Sequence, residues 1–169
     1  MRWDAIIEFP KMKVGIATRD VDGNPCVAGI RYLPLATGSQ SPENALAERA
    51  VRQLEHYRED PDAKFDLPLL IEGSAFQRRL WDALREIPRG RTLTYGELAR
   101  KMGGTDFESA RAVGQACGDN RLPIVIPCHR VVAADGLGGF GHATDGFLLE
   151  AKRWLLMHEA RADEFVLRP

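Results

Sequence analysis

Cys128 and His129 are adjacent in the run Ile124-Val125-Ile126-Pro127-Cys128-His129-Arg130-Val131-Val132, a thiol and an imidazole framed by two β-branched apolar segments. A thiolate is a strong nucleophile, and a neighbouring base or cation raises its population at neutral pH. The flanking segments read as buried strand. Pro127 lacks a backbone donor and restricts the residue before it, which predicts a break that leaves Cys128 at an edge or turn. A lone buried cysteine most often serves as a small hydrophobe. Yet strand residues alternate faces, so Cys128, His129 and Arg130 cannot all point into an apolar core. At least one of them faces a cleft or water, and Cys128 is the candidate nucleophile.

The elements around this turn are marked by helix-start signals. Ser74-Ala75-Phe76-Gln77, Thr94-Tyr95-Gly96-Glu97 and Thr105-Asp106-Phe107-Glu108 are three capping boxes, each pairing a hydroxyl with Gln or Glu three residues on. The first helix carries an apolar stripe of Phe76, Leu80, Ala83, Leu84 and Ile87 and closes at Pro88. A second, from about Tyr95 to Met102, stops at Gly103-Gly104, and a third runs from about Asp106 to Cys117. Short helix, glycine turn and short helix make a helix-turn-helix pattern, whose second helix commonly enters a DNA groove. That helix is thin, built from Ser109, Ala110, Arg111, Ala112, Gly114 and Ala116, which suits close approach to a minor groove better than major-groove reading. A last helix from about Phe147 places Phe147, Ala151, Trp154, Leu155 and His158 on one stripe.

Residues 1–70 read as a small sheet with a helix. Strands are expected over 4–9, 12–18 and 26–33, with Asp22-Gly23-Asn24-Pro25 as a turn. Ser41-Pro42-Glu43 resembles a helix start with Ser41 as N-cap, followed by Ala47, Ala50, Val51, Leu54 and Tyr57 at helical spacing. Cys26 reads as a core thiol and His56 as a surface imidazole. Residues 71–169 form the second, functional domain, so the fold class is α+β.

Arg111-Ala112-Val113-Gly114, then Asn120, then Ile126-Pro127-Cys128-His129-Arg130-Val131-Val132 resembles the signature of the O6-alkylguanine-DNA alkyltransferases. The match extends through Phe76-Gln77, Trp81, Ile87-Pro88, Gly90 and Thr94-Tyr95-Gly96-Glu97-Leu98-Ala99, and downstream through Lys152-Arg153-Trp154-Leu155-Leu156 and His158-Glu159. It covers the C-terminal part closely and the N-terminal part loosely. The resemblance implies a ribonuclease H-like N-terminal domain and a winged-helix-like, helix-turn-helix DNA-binding domain. It implies irreversible, single-use transfer of the alkyl group of O6-alkylguanine, and of O4-alkylthymine, to Cys128 after the nucleotide is flipped out. Glu159 is then the orienting partner of His129, and His129 takes the Cys128 proton through a water. Arg111 is the finger that fills the vacated stack, and Tyr95 supports nucleotide rotation and hydrogen-bonds the flipped base. Thr94, Ala110, Ala112 and Gly114 contact DNA. Asn120, Val131 and Gly146 form the hinge and pocket of the active site. Family members commonly carry a shorter Gly-Tyr-Ala-Gly-Gly-type segment where this chain has a longer glycine-rich loop over 136–146, including His142-Ala143-Thr144-Asp145. No metal or organic cofactor is needed, and double-stranded DNA, met through its minor groove by a monomer, is the expected partner.

Composition is compatible with this. The 169 residues are 44 % hydrophobic and 28 % charged, as in soluble globular proteins, and no apolar run approaches a membrane span. The N-terminus lacks signal-peptide architecture, so a cytoplasmic location is expected. Three widely spaced cysteines, Cys26, Cys117 and Cys128, fit free thiols in a reducing compartment better than a disulfide framework, and no zinc-type spacing is present. The net charge of −1 conceals a partition of −3 over 1–75, +4 over 76–130 and −2 over 131–169, so the positive surplus travels with the cysteine motif. Asp119 would oppose phosphate and is expected to point away from DNA. Rival readings are a sensor that flips a lesion without transfer, which Cys128 opposes, a transcription factor and a thiol hydrolase.

Overall fold

The computed structural model describes residues 2–104, 107–139 and 146–160, the side chains of 107 and 108 excepted. The chain divides into two compact units, Met1–Glu72 and Gly73–Pro169.

In the first unit, β1 (Ala5–Phe9), β2 (Met12–Val21) and β3 (Asn24–Leu33) form an antiparallel sheet in that order. The β2–β3 hairpin is tighter than the sequence suggests. Asp22 and Gly23 alone make the turn, with φ of 52° and 83°, and Asn24 and Pro25 already pair with Val21 and Asp20. Two left-handed residues match the twist of the flanking strands, which favours this two-residue loop. Cys26, beside the hairpin end, is half-exposed rather than a core thiol. Helix α1 (Ala45–Glu59) is capped by Asn44, not by Ser41. Asn44 Oδ1 accepts from the Ala47 N–H at 2.8 Å while Nδ2 donates to Thr18 Oγ1 at 2.9 Å, so one side chain caps the helix and ties it to β2. Residues 40–43 stay outside the helix because Gln40 exchanges backbone bonds with Ile6 and the Glu43 N–H donates to Asp4 O. Leu46, Ala47, Ala50, Val51, Leu54 and Tyr57 fill the helix face that covers the sheet.

The second unit contains α2 (Ala75–Arg85), β4 (Leu93–Thr94), α3 (Tyr95–Lys101), α4 (Phe107–Gly118), β5 (Val131–Val132) and α5 (Phe147–Glu159). Capping boxes at Ser74/Gln77 and Thr94/Glu97 start α2 and α3, while the expected box at Thr105 lies outside the described residues. Helix α2 buries Leu80, Trp81 and Leu84, and Phe76 stays 36 % exposed. Trp81 takes the inner position because its indole N–H reaches Ala116 O of α4 at 3.2 Å, and because Gly73 has no Cβ to collide with the ring, 2.7 Å from where one would stand.

The apolar run before Cys128 is not a strand. Leu122 to Ile126 fold into a turn closed by the Ile126 N–H on Leu122 O at 2.8 Å, and Cys128–Arg130 form a single 3₁₀ turn. Only Val131–Val132 pair, in a parallel two-residue ladder with Leu93–Thr94. Two prolines, each without a donor, remove the ladder bonds that a strand over 123–127 would need. The alternation of faces inferred for this run therefore does not operate, and Cys128 and His129 are both buried. Helix α5 is also rotated from its expected phase. It buries Ala151, Lys152, Leu155, Leu156 and Glu159, leaving Trp154 and His158 half-exposed and stacked with ring centroids 4.6 Å apart. Two charged side chains thus point inward, a sign of function because isolated buried charges are costly.

Candidate active site

The Cys128 turn is held by Asn120. Its Nδ2 donates to Ile126 O at 2.8 Å and its Oδ1 accepts from the Leu122 N–H at 2.9 Å, so one amide bridges both ends of the turn that follows α4. Within the turn, Ile124 sits at φ 73°, a left-handed conformation that costs a β-branched residue about 1–3 kcal/mol and survives only where its surroundings hold it. Burial of Leu122, Ile124 and Ile126 supplies part of that hold. Asn120→Ala removes both amide bonds and is expected to destabilise the protein by about 2–3 kcal/mol, readable as a lowered denaturant midpoint.

Cys128 retains 6 % exposure. Burial pushes its thiol up, against a hydrogen bond from the Asn120 side chain, the charge of Lys152 and its own backbone N–H, all of which favour the thiolate. His129 is fully buried. Its Nε2 lies 2.9 Å from Glu159 Oε2, an ion-pair distance, although ring and carboxylate are not aligned as a straight hydrogen bond. Among the described residues its Nδ1 has no hydrogen-bond partner. Glu159 also receives a two-pronged contact from Arg130, Nε to Oε1 at 2.9 Å and Nη2 to Oε2 at 3.0 Å. Arg130 Nη1 in turn donates to Ile87 O at 2.6 Å, and Arg89 Nη1 donates to the Glu159 carbonyl at 2.9 Å. Burial alone would raise the Glu159 carboxyl. The charge of His129 and the charge and hydrogen bonds of Arg130 outweigh it and hold the group well below the usual carboxylate range.

Lys152, on the inner face of α5, is fully buried. Its Nζ donates to Gly139 O at 2.9 Å and lies 5.8 Å from the centroid of the Tyr95 ring. Burial lowers its pKa to about 8, with Cys128 and then Cys117 pulling the other way. Cys117, on α4, belongs to the same cluster, its thiol pushed up by burial and by Cys128. Lys152 has a testable signature. Between about pH 8 and the unfolded lysine value near 10.4, the unfolded chain holds a proton that the folded one has released, so this group's contribution to stability rises with pH. The two thiols oppose that trend, but they are raised further when the ammonium is removed. Wild type should therefore gain on Lys152→Met across this window, by up to roughly 3 kcal/mol, in denaturant titrations at successive pH values.

Tyr95 opens α3 directly after its cap Thr94. The hydroxyl donates to Gly139 O at 3.2 Å, and burial followed by the two thiols raises its pKa, so it stays a donor. Gly138, at φ 77°, approaches so closely that a Cβ would stand 3.0 Å from the Tyr95 ring. Gly114 faces the same ring from α4, with its would-be Cβ at 3.9 Å. Arg111 and Ala112 are exposed on α4 and Ala110 half-exposed. Asp119 receives a hydrogen bond from Gln77 Nε2 at 3.2 Å and is thereby tied to the start of α2. Val131 is buried in β5 beside the Cys128 turn. Gly146 precedes α5 at φ 83°, exposed, with no described atom within 4 Å of a would-be Cβ. The loop residues 140–145 lie outside the described residues.

The structure thus brings together Cys128, His129, Glu159, Tyr95, Asn120 and Gly114. Lys152, Arg130, Cys117 and the Gly139 carbonyl join them without having been assigned roles from sequence. Among the described residues no group of three or more His, Cys, Asp and Glu could hold a metal ion, and no helix is long and apolar enough to cross a membrane.

Residues 75–161 match the family model for the DNA-binding domain of 6-O-methylguanine DNA methyltransferase. A methylated-DNA–protein-cysteine methyltransferase of Mycolicibacterium paratuberculosis is 44 % identical over 131 residues, covering 77 % of this chain and 74 % of its own length. The chain belongs to this methyltransferase family. A second methylated-DNA–protein-cysteine methyltransferase, from Methanosarcina acetivorans, is 38 % identical over 126 residues, 69 % of this chain and 80 % of that one. Among solved structures, Mycobacterium tuberculosis OGT in complex with DNA superposes with a TM-score of 0.73 at 34 % identity, over 91 % of this chain and 90 % of that one. The mixed arrangement of a small sheet and helices is the fold of that methyltransferase.

Proposed function

We propose that this protein repairs alkylated DNA directly, taking the alkyl group of O6-alkylguanine, and of O4-alkylthymine, onto Cys128 in a single irreversible event. The observation that carries this reading is a buried thiol set among proton acceptors and donors: His129 with an Nδ1 that no described residue engages, Glu159 behind it, and Lys152 and Tyr95 alongside. The alkylated oxygen lies on the base-pairing edge, out of reach inside a duplex, so the nucleotide must be extruded before reaction. In this reading Arg111 fills the gap and Tyr95 steadies the rotated base, exchanging its bond to Gly139 for one to the purine. Thr94, Ala110, Ala112 and Gly114 border the minor groove, and Val131 and Gly146 line the approach to the thiol.

His129, through a water, accepts the Cys128 proton, while Glu159 orients the ring and offsets the charge it acquires. The sulfur attacks the alkyl carbon, the carbon–oxygen bond breaks, and its electron pair returns to the guanine, whose developing charge Tyr95 stabilises by donating a hydrogen bond. Lys152 adds a cation that favours the thiolate. The product is a thioether without a carbonyl for water to attack, so the cysteine is not regenerated.

The finer fold description follows the same reading: a ribonuclease H-like first unit, and a winged-helix-like second unit in which α3 and α4 form the helix-turn-helix. A monomer is proposed, acting in the cytoplasm, where its three free thiols remain reduced. Cys128 favours transfer over passive lesion sensing.

Transfer of a labelled methyl group from duplex DNA should stop at one label per protein molecule, and sustained turnover would contradict the proposal. Arg111→Ala should slow reaction on duplex about ten- to a hundredfold, the size of losing a few kcal/mol of support for the unstacked state, while reaction with free O6-benzylguanine changes little. Equal losses on both substrates would remove Arg111 from the flipping role.

A further inference from the structure

The outer stripe of α4 is not entirely thin. Arg111, Ala112 and Gln115 are exposed, whereas Val113, Ala116 and Cys117 are buried. Gly114 sits against the Tyr95 ring, which fixes this stripe as the one bordering the catalytic cluster. Asp119 is engaged by Gln77, leaving Arg111 and Gln115 as the two described side chains of the stripe that carry polar atoms able to reach outward. They lie four residues apart, on one side of the helix and about 6 Å along its axis. The matched DNA-binding model spans this whole helix.

We infer that Gln115 reads the base pair one or two steps from the lesion and gives the repair reaction a preference for guanine there. The inference rests on the functional reading above. With Arg111 in the vacated stack, a residue about 6 Å further on faces a neighbouring pair, since successive pairs are spaced by about 3.4 Å. In the minor groove an A·T pair offers only acceptors, whereas a G·C pair adds the guanine N2 amino donor. Glutamine carries both an acceptor and two donors. Against G·C its Oε1 accepts from the amino group while Nε2 donates to a ring acceptor, and against A·T its Oε1 goes unpaired. Arginine has donors only, so Arg111 cannot make this distinction.

The test uses the full chain and duplexes that carry O6-methylguanine with guanine at the first and second steps on either side. Each flanking guanine is replaced in turn by deoxyinosine, which keeps pairing with cytosine and loses only the minor-groove amino group. Wild type should react about three- to tenfold more slowly when one of these amino groups is removed, the size of one neutral hydrogen bond. Gln115→Ala, a substitution that favours the helix, should react at the slower rate on both duplexes and like wild type with free O6-benzylguanine. Equal wild-type rates on all duplexes, or discrimination that persists in Gln115→Ala, overturns the inference while leaving alkyl transfer intact. Absence of transfer from every duplex would remove the functional reading as well.

Discussion

Cys128→Ala is expected to abolish alkyl transfer from both duplex DNA and free O6-benzylguanine while leaving DNA binding in place. In the proposed reaction the sulfur is the acceptor, so no rearrangement of the surrounding groups can replace it. The fold should survive, because the lost volume is small and the turn is held by Asn120 rather than by the thiol. A second consequence follows from the charge cluster. Burial depresses the Lys152 pKa, Cys128 and then Cys117 act against it, and the net value is about 8. Removing the thiol should therefore lower the Lys152 value further, observable by titrating its ammonium in NMR spectra of the two proteins. Residual transfer in Cys128→Ala would point to another acceptor, and Cys117 is the thiol in the same cluster.

Glu159→Gln should produce the next largest effect, on rate and stability together. The carboxylate is 1 % exposed and serves two partners, His129 and Arg130. An amide cannot balance the guanidinium that remains, and breaking a buried pair by removing one partner costs about 3–5 kcal/mol. Transfer should slow by about 10²–10⁴, the range associated with a lost acid–base partner. The acid limb provides a further check. The folded carboxyl is held below its unfolded value, so its stabilising contribution is complete above the unfolded glutamate value of about 4.3 and disappears as pH falls through the folded one. Wild type should therefore lose stability steadily below about pH 4, and Glu159→Gln should lose less over the same interval. Identical acid limbs would show that the pair contributes nothing in solution.

The parts of the fold that were legible in the sequence are those written in local chemistry. The capping boxes at Ser74 and Thr94 fixed two helix starts, because a hydroxyl and a carboxylate or amide three residues on satisfy two orphan donors wherever they occur. Ser41-Pro42 had the same local appearance and failed, because Asn44 could cap α1 and bond to Thr18 at once, a tertiary fact. The run before Cys128 misled for the opposite reason: β-branched residues favour strands, but Pro123, Pro127 and the Asn120 amide override that preference. The cysteine and histidine were visible as adjacent reactive groups. Lys152 was not, since a lysine in a helix is ordinarily solvated and only the true phase of α5 turns it inward. Arg130 stood within the motif, yet its hold on Glu159 depends on two segments 29 residues apart.

The most direct test is an intact-mass spectrum, followed by peptide mapping, after incubation with one equivalent of duplex oligonucleotide containing O6-methylguanine. The account predicts a mass increase of a single methylene unit, located on Cys128, with Cys26 and Cys117 unmodified and no loss of the adduct on standing. An unmodified protein beside repaired DNA, or the adduct on any residue other than Cys128, would contradict it.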